Sequence, residues 1–412
     1  MPEFLKVLPP AEALRRFLEA LPREPSIETE RVSTAEALGR VLADSVAAPH
    51  PLPPFPRTTV DGYAVRAADT FGASPSLPAY LSVAGEVVMG RRAEIALNRG
   101  QAALVHTGGM IPSGADAVVM AEDCQQARQH EIEVLKPVSV GQNVLQTGED
   151  VKAGELVLER GTILRSQEIG GLMALGVVEI GAFRQPRVAI LSTGDEVVPP
   201  ESEPAPGQIR DVNTYTLSAL VSGAGGVPVR AGIIPDGIDA LLEAATRAHQ
   251  TSDMIIVTAG SSVSARDVTA DVIQRLGRPG VLVHGVSIKP GKPTILAVAS
   301  GKPIIGLPGN PVSAWIVAGL FLTPVIRRLQ GVTGPLLTPT LRARLSTNVP
   351  SEAGREDYVP VRLEVTPAGL VAEPVYGRSN LIFTLVRADG LVVIPPATTG
   401  LDAGAEVEVR LI

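Results

Sequence analysis

Residues Ile288–Ala314, IKPGKPTILAVASGKPIIGLPGNPVSA, set the frame in which the rest of the chain is read. Lys289 and Lys292 sit in a proline-locked loop, an apolar strand follows, and a Pro-Gly-Asn-Pro corner then opens a helix. At that corner Asn310 is a favoured N-cap residue, Pro311 takes the first helical position where a missing N–H costs nothing, and Gly309 lets a ligand approach the backbone. A helix start presents unpaired N–H groups and a partial positive charge, so it suits an anion. The two lysines would add full charges, and the stretch predicts a phosphate or oxyanion site.

Outward from this stretch, Arg187–Gln330 alternates apolar strands with helical segments: VAIL, NTYTLSALV, VPVRAGII, GIDALLEAATRA, MIIV, DVTADVIQRL, VLVHGVSI, TILAVA and PIIGL, then the long helix from Pro311. Continuous apolar strands between helices predict a mostly parallel α/β sheet covered on both faces. Ligands of such sheets bind beyond the carboxyl ends of the strands. The polar corners fall there: Ser192-Thr193-Gly194-Asp195-Glu196, Pro235-Asp236, Gly260 to Asp267, and Pro308 to Ser313.

The flanks read differently. Residues 10–21 predict an amphipathic helix with Leu14, Leu18 and Leu21 on one side. Ser33-Thr34 cap a short helix ending near Gly39, and Val41–Ala47 alternates like a strand. The proline cluster Pro49–Pro56 marks a boundary. Short strands with turn signals then run to about Val140, and Thr338–Ile412 is again strand-rich, as in a small β-barrel. The expected organisation is an elongated mixed domain of residues 1–50 plus 141–185, a β-rich inserted domain of 51–140, an α/β domain of 186–331, and a C-terminal β-barrel domain of 332–412.

Composition narrows the function. A net charge of −7 and 3% aromatic residues argue against nucleic acid, so an anionic ligand must be held by local positive groups. One cysteine, Cys124, excludes a disulfide framework within the chain and follows Glu122-Asp123, which should raise its pKa. No leader pattern and no apolar run of about 18 residues is apparent, which predicts a cytoplasmic protein without a membrane partner. Gly291-Lys292-Pro293-Thr294 is not the end of a P-loop, because a proline separates Lys from Thr and a strand follows where a helix is required.

The remaining candidates are carboxylates in corners: Asp61, Asp150, Asp195, Glu196, Asp236 and Asp267. Taken singly, Asp236 caps the next helix, Asp267 could cap DVTADVIQ, and Asp195-Glu196 could form a solvated turn. Glu196 and Asp267 leave strands of one sheet at its ligand end, and carboxylates beside a phosphate site are what Mg²⁺ requires. His106 and His284 have no partner at metal-ligand spacing.

Together VDGYAVR, TGGMIPSGADAVV, GEDV, LSTGDEVV, IKPGKP, GLPGNPVSA and the Gly354-Arg355 and Ser379 corners resemble the MoeA-type molybdopterin molybdenumtransferases, relatives of the gephyrin E domain. The resemblance runs from the N-terminal helix to the last strand. It implies a four-domain subunit, a homodimer with a shared active site, and conversion of adenylylated molybdopterin plus molybdate into molybdenum cofactor and AMP with Mg²⁺. By the same resemblance molybdate meets Lys289, Lys292, Arg355 and Ser379. The adenylate phosphates meet Ser192, Thr193, Gly194, Asp195 and the Pro308-Gly309-Asn310-Pro311 corner with Ser313. Glu196 and Asp267 hold Mg²⁺, and Asp61, Thr107 and Asp150 complete the pocket. A molybdopterin adenylyltransferase is the partner it suggests. The chain departs from the family at Gly260-Ser261-Ser262-Val263-Ser264-Ala265-Arg266-Asp267, which lacks two of the family's glycines. Two other functions therefore stand beside the transferase: a non-catalytic pterin- or nucleotide-binding scaffold, and a nucleotide hydrolase indifferent to molybdate.

Overall fold

The computed structural model describes residues 7–259, 263–334 and 338–412, with the side chains of 259 and 263–267 outside the described set. The chain divides into two compact units, one of residues 1–44, 160–165 and 179–412, the other of 45–159 and 166–178.

The first unit holds the α/β sheet. Its elements are α1 (Pro10–Glu19), β1 (Arg187–Thr193), α2 (Asn213–Gly223), β2 (Val227–Ile234), α3 (Ile238–Thr251), β3 (Met254–Ala259), α4 (Val263–Leu276), β4 (Pro279–His284), β5 (Ile295–Ala299), β6 (Lys302–Pro308) and α5 (Pro311–Leu329). The strand order is β2-β1-β3-β6-β5-β4. Pairs β2–β1, β1–β3 and β3–β6 are parallel, while β5 is antiparallel to both neighbours, so it alone runs against the rest. The expectation of a mostly parallel, doubly covered sheet is met.

Both faces are dry over the central strands, because β1, β5 and β6 are apolar and buried along almost their whole length, whereas the edge strand β2 carries the exposed Arg230. Val188 and Ile190 of β1 face a core shared with α1, α2 and α5, while Ala189 and Leu191 face a second core shared with α3 and α4. The innermost residues of α1 are Ala13 and Phe17, both fully buried; Leu14 and Leu18 pack at the margin. Leu21, just past the helix end, is buried in the same core, so the expected leucine face is inward but centred about one position earlier, on Ala13 and Phe17. Helix α5 is apolar and long enough to meet the composition of a membrane span, but 61% of that window is buried within the fold. Its apolarity serves the core, where Phe321 and Leu322 are fully buried.

A closed five-stranded barrel follows in the same unit. Strands β7 (Thr340–Leu345), β8 (Glu356–Thr366), β9 (Gly369–Pro374), β10 (Gly390–Ile394) and β11 (Glu406–Leu411) close through pairing of β8 with β10. The short strand Ile288–Lys289 joins this barrel sheet, running parallel to β8 with Lys289 opposite Asp357. The lysine loop therefore spans the α/β sheet and the barrel. Gly291 is essential to that fit: its φ is +115°, and a Cβ there would collide with Val317 of α5.

The alternation expected over Val41–Ala47 is absent. Val41, Leu42 and Ala43 are buried in succession, because Leu42 N–H bonds to Thr162 and Ala43 N–H to Gly181, so the chain is covered on both sides. Only Val46–Ala47 forms a strand.

The second unit contains a six-stranded sheet in the order Ala117–Met120, Gly62–Val65, Gln101–Val105, Ala79–Glu86, Glu131–Val134 and Cys124–Arg128. Gly62 allows Gly62–Val65 to lie against the next strand, since a Cβ there would strike the Val119 carbonyl.

Candidate functional site

Strand register places the polar corners in one row. Ser192 pairs with Thr258, Thr258 with Leu307, and Thr193 with Ile234, so β1, β2, β3 and β6 end together. Because β5 runs the other way, its first residue Ile295 lies opposite Gly306, and the lysine loop that precedes it emerges at the same edge.

A cleft of about 600 Å³ opens at this edge. Of the candidates it gathers Ser192, Thr193, Glu196, Gly309, Asn310 and Pro311, and it adds Arg210, Asp211, Asn213, Thr258 and Asn380. Its polar groups are largely pinned. The Thr193 hydroxyl donates to the Thr258 carbonyl at 3.1 Å, and Asn213 Nδ2 donates to the Gly309 carbonyl at 2.8 Å. The buried Asp211 accepts the Thr214 N–H at 3.0 Å, capping α2. Gly194 has a φ of +137°, and the Glu196 carboxylate folds over it so closely that a Cβ would lie 2.6 Å from Oε2. Asp195 accepts the Asp236 N–H at 3.0 Å, tying the corner after β1 to the corner after β2.

Three local expectations change. Asn310 makes no side-chain cap on α5; instead its Nδ2 donates to Ser379 Oγ at 3.0 Å, and the Val312 N–H donates to the Ser379 carbonyl at 3.0 Å. The barrel domain thus supplies the cap that the sequence assigned to Asn310. Asp236 does not cap α3, which starts from Gly237 without a side-chain cap. The helix expected to open at Asp267 begins at Val263 instead, so residue 267 falls inside α4. Gly260–Ser262 and the Asp267 side chain lie outside the described residues.

Lys289, Lys292 and Arg355 do not line the cleft. Lys289 and Arg355 belong to a charged cluster around Asp357, which is 4% exposed and which the sequence reading missed. Arg355 Nε donates to Asp357 Oδ1 at 2.8 Å and Lys289 Nζ lies 3.7 Å from Oδ2; Arg355 also pairs with Glu352 at 2.8 Å. A buried carboxylate is costly unless paired, so the two cations are held in place by their own structural duty. Lys292 is exposed, and its carbonyl accepts the Val286 and Thr294 N–H groups. Ser313 is buried at the first turn of α5.

Asp61, Thr107 and Asp150 lie in the second unit. Asp61 Oδ1 accepts the Thr107 N–H at 2.8 Å, with His106 Nδ1 3.9 Å away and His106 Nε2 2.9 Å from Glu86. Asp150 is exposed at a turn whose N–H donates to the Leu52 carbonyl. Among the described residues no group of three or more His, Cys, Asp or Glu side chains is arranged to hold a metal. Burial, and then the neighbouring Asp123, push the Cys124 thiol up to about 12, which agrees with an inert thiol.

A doubly covered α/β sheet with a polar cleft at its strand ends, joined to a β-barrel that caps the cleft's helix, defines a small-ligand-binding protein of several domains. Family comparison gives the class a name. The chain matches the MoeA N-terminal region (domain I and II) over residues 8–176, the "probable molybdopterin binding domain" over 189–328, and the MoeA C-terminal region (domain IV) over 342–412. It is 33% identical to the molybdopterin molybdenumtransferase of a Nostoc species, covering 92% of this chain and 88% of that one. The molybdopterin molybdenumtransferase of Haemophilus influenzae is 32% identical, with 97% of each chain covered. A crystal structure of a molybdopterin biosynthesis MoeA protein from Pyrococcus horikoshii OT3 superposes with a TM-score of 0.85 at 33% identity, covering 99% of this chain and all of the other. The chain belongs to the MoeA family.

Proposed function

We propose that the protein is a molybdopterin molybdenumtransferase that inserts molybdate into adenylylated molybdopterin and releases AMP. The observation that carries the proposal is the convergence of Ser192, Thr193, Glu196, Asn310 and Pro311 on one cleft at the strand ends, beside a chain-long match to relatives of that name. A cleft of about 600 Å³ is in the range of small-molecule and cofactor sites. In this reading the nucleotide phosphates meet Ser192 and the Gly309-Asn310-Pro311 corner at the strand ends, with Gly194, Asp195, Pro308 and Ser313 in the turns that flank the cleft. Lys289, Lys292 and Arg355 receive the oxyanion, together with Ser379.

Glu196 is the one cleft carboxylate among the described residues not committed to a helix cap, as Asp211 is. Magnesium is commonly held by one or two carboxylates plus substrate phosphates, so Glu196 fits the role, with Asp267 as its partner. When bound there, Mg²⁺ would neutralise charge on the leaving phosphate. A homodimer whose shared site is completed by Asp61, Thr107 and Asp150, a molybdopterin adenylyltransferase as donor, a cytoplasmic location and the four-domain division given above belong to the same proposal.

The test is incubation of the purified protein with adenylylated molybdopterin, Mg²⁺ and increasing molybdate, with AMP as the readout. AMP release that rises with molybdate supports the transferase. Tight binding without AMP would replace it with a scaffold, and release indifferent to molybdate would replace it with a hydrolase.

A further inference from the structure

Asn310 stands where a helix cap belongs, yet its side chain is spent elsewhere. Its Nδ2 donates to Ser379 Oγ at 3.0 Å, and α5 receives no side-chain cap from it. The surroundings hold both ends of this contact still. On one side the Gly309 carbonyl accepts from Asn213 Nδ2 at 2.8 Å; on the other the Ser379 carbonyl accepts the Val312 N–H at 3.0 Å.

The direction of the bond has a chemical consequence. A serine hydroxyl has one proton to give and lone pairs with which to accept. A tetrahedral oxyanion offers only acceptor oxygens. If the Ser379 proton were given to a protein acceptor, the oxygen would present lone pairs to the oxyanion and repel it. Accepting from Asn310 occupies a lone pair and leaves the proton for another partner, and among the described residues no acceptor takes it.

We infer that Asn310 is a positioning residue for oxyanion binding: by donating to Ser379 Oγ it aims the serine hydroxyl proton at the substrate's oxygen. The inference rests on the assignment of the oxyanion to Ser379 in the proposed function and adds to it the residue that sets the polarity of that contact.

Asn310→Ser separates this role from helix capping. Serine is as good an N-cap as asparagine, but its hydroxyl ends one atom earlier than the carboxamide nitrogen. Steady-state AMP release is measured for the full chain, wild type, N310S, N310A, S379A and the double variant N310S/S379A, with the molybdate KM separated from kcat and from the KM for adenylylated molybdopterin. Thermal melting of each variant accompanies the kinetics. The expected result is a roughly three- to tenfold higher molybdate KM in N310S, the loss expected for one neutral hydrogen bond, with little change in the nucleotide-substrate KM. In the S379A background N310S should add nothing further, because its effect passes through Ser379.

Should N310S raise the molybdate KM by the same factor whether or not Ser379 is present, Asn310 does not act through Ser379, and the inference falls while the serine's own role stands. An N310S protein with wild-type kinetics and an impaired N310A would identify Asn310 as a helix cap only and overturn the inference. An unchanged molybdate KM in S379A would remove the serine from the oxyanion site and overturn both. If N310A fails to fold, N310S carries the comparison alone.

Discussion

The cleft at the strand ends and the charged cluster at the lysine loop read alike as anion sites in the sequence, but they are built on opposite principles. In the cleft, neutral groups are fixed by hydrogen bonds to backbone, as Thr193 is to Thr258 and Asn213 to Gly309. In the cluster, full cations surround the buried Asp357 and are held by it. A rigid site of pinned polar groups selects by geometry, whereas a compensated charge cluster can release positive charge toward an arriving anion without having been left unpaired. The difference matches the division proposed above, with the nucleotide in the cleft and the oxyanion at the cluster.

The largest effect expected from breaking this contrast is at Arg355. Arg355→Met leaves Asp357 buried with only the 58% exposed Lys289, 3.7 Å away, and should destabilise the protein by about 3 kcal/mol in denaturant unfolding. Lys289→Met should cost less than about 1 kcal/mol, because that pair is solvent-screened, while still raising the molybdate KM. Equal losses of stability would show that the cluster is not organised around a buried acid. Next is Gly194→Ala, which forces a residue with a Cβ to a φ of +137° and into the Glu196 carboxylate. A loss of about 1–3 kcal/mol is expected, together with a higher Mg²⁺ requirement for AMP release. An unchanged Mg²⁺ dependence would free Glu196 from metal binding.

Asn213→Ala should cost about 1 kcal/mol by releasing the Gly309 carbonyl, and should raise the KM of the adenylylated substrate more than that of molybdate. The reverse pattern would merge the two regions into one. The smallest effect is at Cys124, whose pKa is raised from 9.0 to about 12. Since the folded value lies above the unfolded one, this thiol's contribution to stability is complete below about pH 9 and declines as pH rises toward 12. Alkylation of the native protein at pH 8 should accordingly be slow relative to the unfolded chain; equal rates would contradict the burial.

The α/β sheet was legible because its central strands are nearly continuous apolar runs and its helices begin at identifiable corners, and the barrel because Gly and Pro divide its strands. What escaped was set by contacts far apart in the chain. Asp357 is a site residue only because Lys289 and Arg355 meet around it. Asn310 looked like a cap because N-cap preference is local, whereas its partner lies 69 residues away. Asp211 could have been found, since an aspartate three residues before Thr214 at the opening of a helix is a capping signal. Val41–Ala43 could not, because two separated segments bury it.

Diffraction from crystals soaked in tungstate, an electron-dense stand-in for molybdate, tests the division of labour most directly. The account predicts an anomalous peak within hydrogen-bond reach of Ser379 and of Lys289 or Arg355. A peak seated instead against Ser192, Thr193 and Glu196 in the cleft would contradict it.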